Sequence, residues 1–196
     1  MNFVFDIGNV LVDYNPAALV DKLFADKSLA EKMLNSIFRS SEWADMDMGN
    51  LSREKATEVS CTRMPEHKSE ILLTMQSIHD IFIPNNDVIK LLPIIKKAGH
   101  GLFYLSNMHV EIRDFLLANH EYFSMLDGGV FSCDVHLVKP SPEIYRHFLN
   151  KYRLVAGECI FFDDVEDNVT AAEKEGIKSV LFTTADCVLS YMQDYK

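Results

Sequence analysis

The sequence predicts an α/β protein: a doubly wound parallel sheet with an all-helical segment inserted after the first strand. Three observations carry this. From about residue 84 onward, short apolar runs alternate with helical stretches, and that alternation implies parallel strands joined by helical crossovers. Between residues 15 and 83 the apolar residues recur at helical spacing, and no stretch reads as a strand. Three of the apolar runs end on polar groups, and in an open α/β sheet ligands bind just past the carboxyl ends of the strands. A chain of 196 residues, 48 % hydrophobic and 24 % charged, is long and apolar enough to bury one core with a modest insertion.

Residues 2–5 form the first predicted strand, which ends on Asp6 and runs into Ile7-Gly8-Asn9. In the helical segment, Ala18, Leu19, Leu23 and Phe24 share one face, and Leu29, Met33, Leu34, Ile37 and Phe38 continue it. A break is expected at Gly49-Asn50-Leu51-Ser52, with Ser52 as the N-cap of the next helix. Pro65 breaks the pattern again before the stripe of Ile71, Leu72, Met75 and Ile78. A helix from Asn86 or Asp87 to about Lys97 should stop at Gly99, with Pro93 kinking its middle.

The second predicted strand is Gly101 to Leu105, ending at Ser106-Asn107. A helix follows from Val110 to Asn119, then a short strand from Gly129 to Phe131. Ser141 and Pro142 suit the N-cap and first turn of a helix whose body is Ile144 to Tyr152. Cys159 to Phe162 is a strand ending at Asp163-Asp164. Val169 to Glu175 is a helix stopped by Gly176, and Ser179 to Phe182 is the last strand.

In a parallel sheet Asp6, Ser106-Asn107 and Asp163-Asp164 converge on one edge, joined by Lys139 from the loop before the Pro142 helix. Carboxylates from different strands can hold Mg²⁺, which prefers oxygen ligands. The Ser106 hydroxyl, the Asn107 amide and backbone N–H groups can cradle phosphate oxygens. Lys139 can neutralise charge on Asp6 and on a phosphate, and Asp6 is then a carboxylate nucleophile forming an acyl phosphate. A formal net charge of −10 argues against a nucleic-acid surface, since phosphate contacts need clustered Lys and Arg. Cys61, Cys133, Cys159 and Cys187 are scattered without a CxxC pair, so zinc is not expected. The N-terminal apolar run is interrupted at Asp6 and no stretch is long enough to span a membrane, so a reduced, cytoplasmic protein is the expectation.

FDIGNVLVDYNP, LSN, the KP of VKPSPEIY and FFDDVEDN follow one another in that order across nearly the whole chain. In this the sequence resembles the haloacid dehalogenase superfamily. Within it the chain looks most like the bacterial subfamily that includes the α-D-glucose-1-phosphate phosphatase, and GNLSREKATEVSCTRM looks like the cap segment of that group. The resemblance implies a Rossmann-like core of residues 1–14 and 84–196 and a C1-type helical cap of residues 15–83. It makes Asp6 the nucleophile and first metal ligand, Ser106 the phosphate-binding hydroxyl, Asn107 a neighbouring substrate contact and Lys139 the family lysine. Asp164 becomes the main acidic metal ligand, Asp163 an adjacent one, and Asp167 and Asn168 a supporting group.

Gly8 falls where most family phosphatases carry a second aspartate. Its carbonyl remains available to metal and substrate, but the carboxylate that serves as general acid and base is missing. A replacement acid is expected from the cap, from water or from Asp13. The implied activity is a Mg²⁺-dependent phosphomonoester hydrolase acting on a small phosphorylated metabolite, with a sugar phosphate as the first candidate. Gly8 also suits a metal-free 2-haloacid dehalogenase, but adjacent Asp163 and Asp164 have little use without a cation. The same residues are compatible with a phosphotransferase and with a non-catalytic phosphate-binding relative.

Solvated or capping roles are expected for His100, His109, His120 and His136, with His109 the most suspect for its place after Ser106-Asn107. Trp43, with Met46 and Met48, is expected to form the core of the helical segment, with facing the substrate from the cap as the alternative. Tyr14 and Asn15 are expected at the pocket, and Glu173-Lys174-Glu175 on a solvated helix face.

Overall fold

A computed structural model describes residues 1–193. The strands are β1 (Asn2–Phe5), β2 (Val12–Tyr14), β3 (Phe82–Pro84), β4 (Gly101–Ser106), β5 (Gly128–Phe131), β6 (Cys159–Asp163) and β7 (Lys178–Leu181). Between β2 and β3 run α1 (Pro16–Leu23), α2 (Lys27–Met33), α3 (Ser41–Asp47), α4 (Arg53–Arg63) and α5 (Lys68–Gln76). The remaining helices are α6 (Asn86–Ile89), α7 (Leu92–Lys97), α8 (Val110–Asn119), α9 (Ser132–Val135), α10 (Pro142–Tyr152), α11 (Glu166–Lys174) and α12 (Ala185–Gln193).

Five strands form one parallel sheet in the order β5-β4-β1-β6-β7. The chain builds outward from β1 through β4 to β5, then crosses β1 to add β6 and β7, so the order reverses around β1. Period-two alternation sends Phe3, Phe5, Ile160 and Phe162 to one face and Val4, Phe103, Leu105 and Phe161 to the other. All eight are buried, as expected of parallel strands covered on both faces. Phe162 stacks on Phe3 and Phe5 with ring centroids 6.0 and 5.4 Å apart.

Several expectations are revised. Phe82 and Ile83 were expected in a strand-free segment, yet they pair antiparallel with β2, Tyr14 opposite Phe82 and Val12 opposite Pro84. Both strands are three residues long, too short to show a period, and the whole insertion separates them. The helix expected over 86–97 is two helices. Pro93 lies in the first turn of α7, where its missing N–H leaves no bond unmade. Ser52 caps α4 through Lys55 N–H at 3.3 Å. Ser141 stands at the start of α10, but its hydroxyl donates to the Glu143 carboxylate instead of capping. Helix α11 begins at Glu166, earlier than Val169, because Asp163 accepts the Val165 N–H at 2.8 Å and acidic residues fill its first turn. Glu175 is not merely solvated, since Arg146 of α10 donates two 2.7 Å bonds to it.

The insertion is seated on the sheet domain at the C-terminal end of α3. The Ser132 hydroxyl donates to the Asp47 carbonyl, and in turn accepts the Met108 N–H at 2.9 Å. The His136 ring lies 2.9 Å from the Met48 carbonyl through Nδ1. Gly49 has φ +75°, and a Cβ there would stand 2.4 Å from the Cys133 carbonyl oxygen. Gly49→Ala is expected to destabilise the protein by at least about 1–2 kcal/mol, the cost of a left-handed L-residue alone. Gly99→Ala is the control: φ there is +83°, but a Cβ would meet nothing within 4 Å. Urea unfolding should show Gly49→Ala as clearly the worse of the two, and equal losses would mean that the contact with Cys133 does not hold the seat.

Candidate active site

The register of the sheet assembles the site. Phe5 lies opposite Phe162, so Asp6 and Asp163 leave the sheet side by side. Phe5 also lies opposite Tyr104, which puts Ser106 one residue beyond the level of Asp6. The Asp6 N–H donates to the Phe162 carbonyl at 2.8 Å, carrying the β1–β6 ladder up to the site. After Asp6 the chain turns sharply: the N–H groups of Val10, Leu11 and Val12 all point at the Ile7 carbonyl at 2.9–3.3 Å. Asn9 holds this turn with φ +54°, accepting the Tyr14 N–H at 2.9 Å and donating to Asp164 Oδ2 at 2.9 Å.

Lys139 is 4 % exposed, and its Nζ lies 2.9 Å from Asp6 Oδ1 and 2.6 Å from Asp163 Oδ2. Burial works against this ammonium, but the two carboxylates outweigh it and hold its pKa above the ordinary lysine value. Burial also pushes the Asp6 carboxyl up to about 6; Lys139 opposes that and Asp163 adds to it. The Asp6 carboxylate further accepts the Ile7 N–H at 2.7 Å and a hydrogen bond from Ser106.

Each partner of Lys139 is itself braced. Asp163 is fully buried and accepts the Val165 N–H at 2.8 Å and the Asn168 amide at 3.0 and 3.1 Å. Asn107, expected to contact substrate, also clamps the Lys139 backbone through its amide, Oδ1 accepting the N–H at 2.8 Å and Nδ2 donating to the carbonyl at 2.9 Å. Asp167 was expected to support the site, but it is exposed in the first turn of α11, and Asn168 alone does so.

Carboxylate oxygens of Asp6, Asp163 and Asp164 lie within 4.8 Å of one another. Lys139 pairs with only two of these three carboxylates, so the cluster lacks positive charge. The donors are all carboxylate oxygens, with no sulfur or imidazole, a set that suits Mg²⁺. The residues therefore fit the ion. Asp6 and Asp164 retain the freer oxygens, while those of Asp163 are already engaged with Lys139, Val165 and Asn168.

A cavity of about 260 Å³ opens onto this edge of the sheet. Asp6, Gly8, Ser106, Asn107, Lys139 and Asp164 form its floor, and buried Asp163 lies outside its lining. Tyr14, Phe82 and Met108 line its wall together with Trp43 and Asp47 of the insertion. Trp43 thus has two roles, packing on Phe38 with ring centroids 4.7 Å apart and facing the cavity. Asn15 does not reach the cavity and caps α1 through the Ala18 N–H at 3.0 Å. Asp13 is exposed and also lies outside it.

His109 is neither solvated nor a side-chain cap. It is 3 % exposed, its ring meets Trp43 edge-on at 5.1 Å, and burial pushes its pKa down to about 4. His120 stands at the C-cap of α8, its N–H donating to the Leu116 carbonyl at 3.0 Å. His100 lies against Phe3 with ring centroids 5.4 Å apart. The sequence pattern does not single out Asn9 or Asp47. An aspartate in the last turn of a helix, against the macrodipole, is the available signal for Asp47.

A family model described as haloacid dehalogenase-like hydrolase matches residues 1–176. A sesquiterpene phosphatase of Aspergillus oryzae is 26 % identical over 180 residues, covering 92 % of this chain and 88 % of that protein. Among solved structures, a family enzyme of Bacteroides thetaiotaomicron in complex with magnesium and inorganic phosphate matches with a TM-score of 0.71. It is 18 % identical and covers 93 % of this chain and 94 % of that one. The L-2-haloacid dehalogenase of Xanthobacter autotrophicus matches with a TM-score of 0.65 at 17 % identity, over 91 % of this chain and 75 % of that one. Among the described residues, no helix is long and apolar enough to cross a membrane.

Removing Lys139 leaves Asp6 and Asp163 buried without a counter-charge. Lys139→Met is expected to destabilise the protein by about 3–5 kcal/mol, measured by urea unfolding. Adding Asp163→Asn should recover part of that loss; no recovery would mean that the lysine acts by packing and not by charge.

Proposed function

Because the chain belongs to the haloacid dehalogenase-like hydrolases, we propose that it is a Mg²⁺-dependent phosphomonoester hydrolase working through an aspartyl-phosphate on Asp6. The observation that carries this reading is the cluster of three carboxylates within 4.8 Å, of which a single buried lysine pairs with two. A dianionic phosphate entering that field needs a further cation. A metal-free dehalogenase has no use for Asp164 beside Asp163, so the site favours phosphate chemistry where the fold alone does not separate the two. The magnesium and phosphate held by the Bacteroides thetaiotaomicron enzyme and the phosphatase activity named for the Aspergillus oryzae relative support the same choice.

In this reading Asp6 Oδ attacks phosphorus, and Lys139 holds that carboxylate ionised and aimed. Ser106 and the backbone N–H groups at this edge of the sheet bind the phosphoryl oxygens. Asp6, Asp164, the Gly8 carbonyl and Asp163 as an adjacent ligand would hold the ion. When bound it would neutralise charge on the phosphoryl group. Residues 15–83 act as a cap over the core of residues 1–14 and 84–196, supported by the presence of Trp43 and Asp47 in the cavity wall and by the β2–β3 pair at its base.

The cavity is at the small end for a ligand site, where volumes run from about 300 Å³ upward. It suits a phosphoryl group with a small organic portion. A sugar phosphate is the first substrate class, its ring C–H face against Trp43 and Phe82 and its hydroxyls toward Asp47 and His109. The same aromatic wall, with Met108, favours a second class, phosphates of apolar alcohols.

Phosphate release should be measured on sugar phosphates, prenyl phosphates and an aryl phosphate, with Mg²⁺ and with EDTA. Turnover is expected only with the metal and should be abolished in Asp6→Asn. A clean, folded protein that releases phosphate from none of them would overturn the reading, and dechlorination of 2-haloacids in EDTA would replace it with the dehalogenase.

A further inference from the structure

We infer that Asp47, carried by the inserted helical segment, is the general acid and base of the hydrolysis, supplying the carboxylate that position 8 lacks. This rests on the phosphatase reading above.

The direction of the reaction locates the group required. Phosphorus lies beyond Asp6, at the floor formed by Ser106 and Lys139, so the oxygen leaving in line with the attack points away from the end of β1. It points toward the insertion side of the cavity, where Trp43 and Asp47 form the wall. An alkoxide leaving there needs a proton, and the water that later attacks phosphorus from that side needs a base.

Six titratable side chains line the cavity: Asp6, Tyr14, Asp47, His109, Lys139 and Asp164. Asp6 is the nucleophile, and Lys139 is locked between Asp6 and Asp163. Asp164 belongs to the carboxylate cluster and is held by Asn9. Burial and the Asp47 charge drive Tyr14 far above its ordinary value, and burial holds His109 neutral. Asp47 remains. It lies outside the three-carboxylate cluster, is only partly buried, and is anchored through its backbone carbonyl by Ser132.

The groups facing Asp47 are Asp6 from β1, Tyr14 from β2, His109 at the start of α8 and Cys133 from α9. Burial and the Asp6 charge push its carboxyl up, against a backbone N–H from His109.

The two steps balance. Asp6 Oδ forms its bond to phosphorus as the P–O bond to the alcohol breaks, and the departing oxygen takes the Asp47 proton, giving free alcohol and Asp47 carboxylate. Water then attacks phosphorus, Asp47 takes its proton, and the bond from phosphorus to Asp6 breaks to release phosphate and restore both carboxyl groups.

The test uses the whole 196-residue chain with Mg²⁺ on two substrates: β-glycerophosphate, whose alkoxide needs a proton, and 4-nitrophenyl phosphate, whose phenolate does not. Asp47→Asn should lower kcat on the alkyl ester by roughly 10²–10⁴-fold. With the aryl ester it should give one fast equivalent of nitrophenolate, then slow turnover, with a phosphoryl adduct on Asp6 by intact mass. The double variant Gly8→Asp/Asp47→Asn should regain turnover on both substrates. A Cβ at Gly8 meets only Tyr14 Cβ, at 3.9 Å, so position 8 accepts a side chain.

Asp47→Asn turning over both substrates like the wild type would overturn the assignment. So would equal losses on both with no burst and no rescue by Gly8→Asp, the pattern of a structural role. An inert wild-type protein would sink the phosphatase reading itself, a result distinct from either.

Discussion

The site depends on one ammonium group buried between two carboxylates. Lys139 Nζ reaches both Asp6 and Asp163 within 2.9 Å, and almost none of the three side chains is open to water. Removing such charges from water costs several kcal/mol per ion, and mutual attraction offsets it only when the geometry is good and the remaining hydrogen bonds are made. That condition explains the bracing. Asn107 clamps the Lys139 backbone at both its N–H and its carbonyl, Asn168 and Val165 N–H complete Asp163, and Ile7 N–H and Ser106 complete Asp6. Three strand ends and one loop are thereby tied to a single point. A shift of any one would leave a buried charge unpaired, so the same constraint that taxes stability also specifies the geometry.

The parts of this arrangement carried by local pattern were legible in the chain. β1, β4 and β6 each read as an apolar run ending in a polar group, and all three do end at the site. Lys139 was legible only as part of the set, since a lone lysine before a proline carries no signal. What escaped was whatever depends on contacts across the fold. The β2–β3 pair is three residues long on each side and is specified by partners far apart in the chain. Asn107 reads as a substrate contact because its type and place suit that role, and its clamp on a backbone 32 residues away has no local signal. Asn9 gives no signal because its left-handed conformation, which aims its amide at Asp164, is a property of the folded turn. Asp47 lies in a stretch that reads as an ordinary amphipathic helix, and only the docking of α3 turns it toward the cavity.

That docking uses the carbonyls at the end of α3 together with the edge-on contact of Trp43 with His109. The Asp47 and Met48 carbonyls are unsatisfied helix-end acceptors of the kind that otherwise need water or a cap. Here Ser132 and His136 of the sheet domain meet them, and Gly49 allows the chain to pass against the Cys133 backbone. One set of contacts therefore ends the helix, seats the insertion and directs the Asp47 side chain at the cavity. The Ser132 hydroxyl also accepts the Met108 N–H, which links the seat to the segment running from Ser106 to His109 along the cavity floor and wall.

Charge balance explains why an acid on the insertion suits this site better than one at position 8. Asp6, Asp163 and Asp164 already crowd within 4.8 Å with one lysine among them. A fourth carboxylate two residues after Asp6 would add to that field at the place where a dianionic phosphate must enter, and like charges that close raise one another's pKa steeply. Gly8 keeps the backbone carbonyl and omits the charge. On the insertion, a carboxylate acts from the side where the leaving oxygen emerges, with burial and then the Asp6 charge raising its proton affinity.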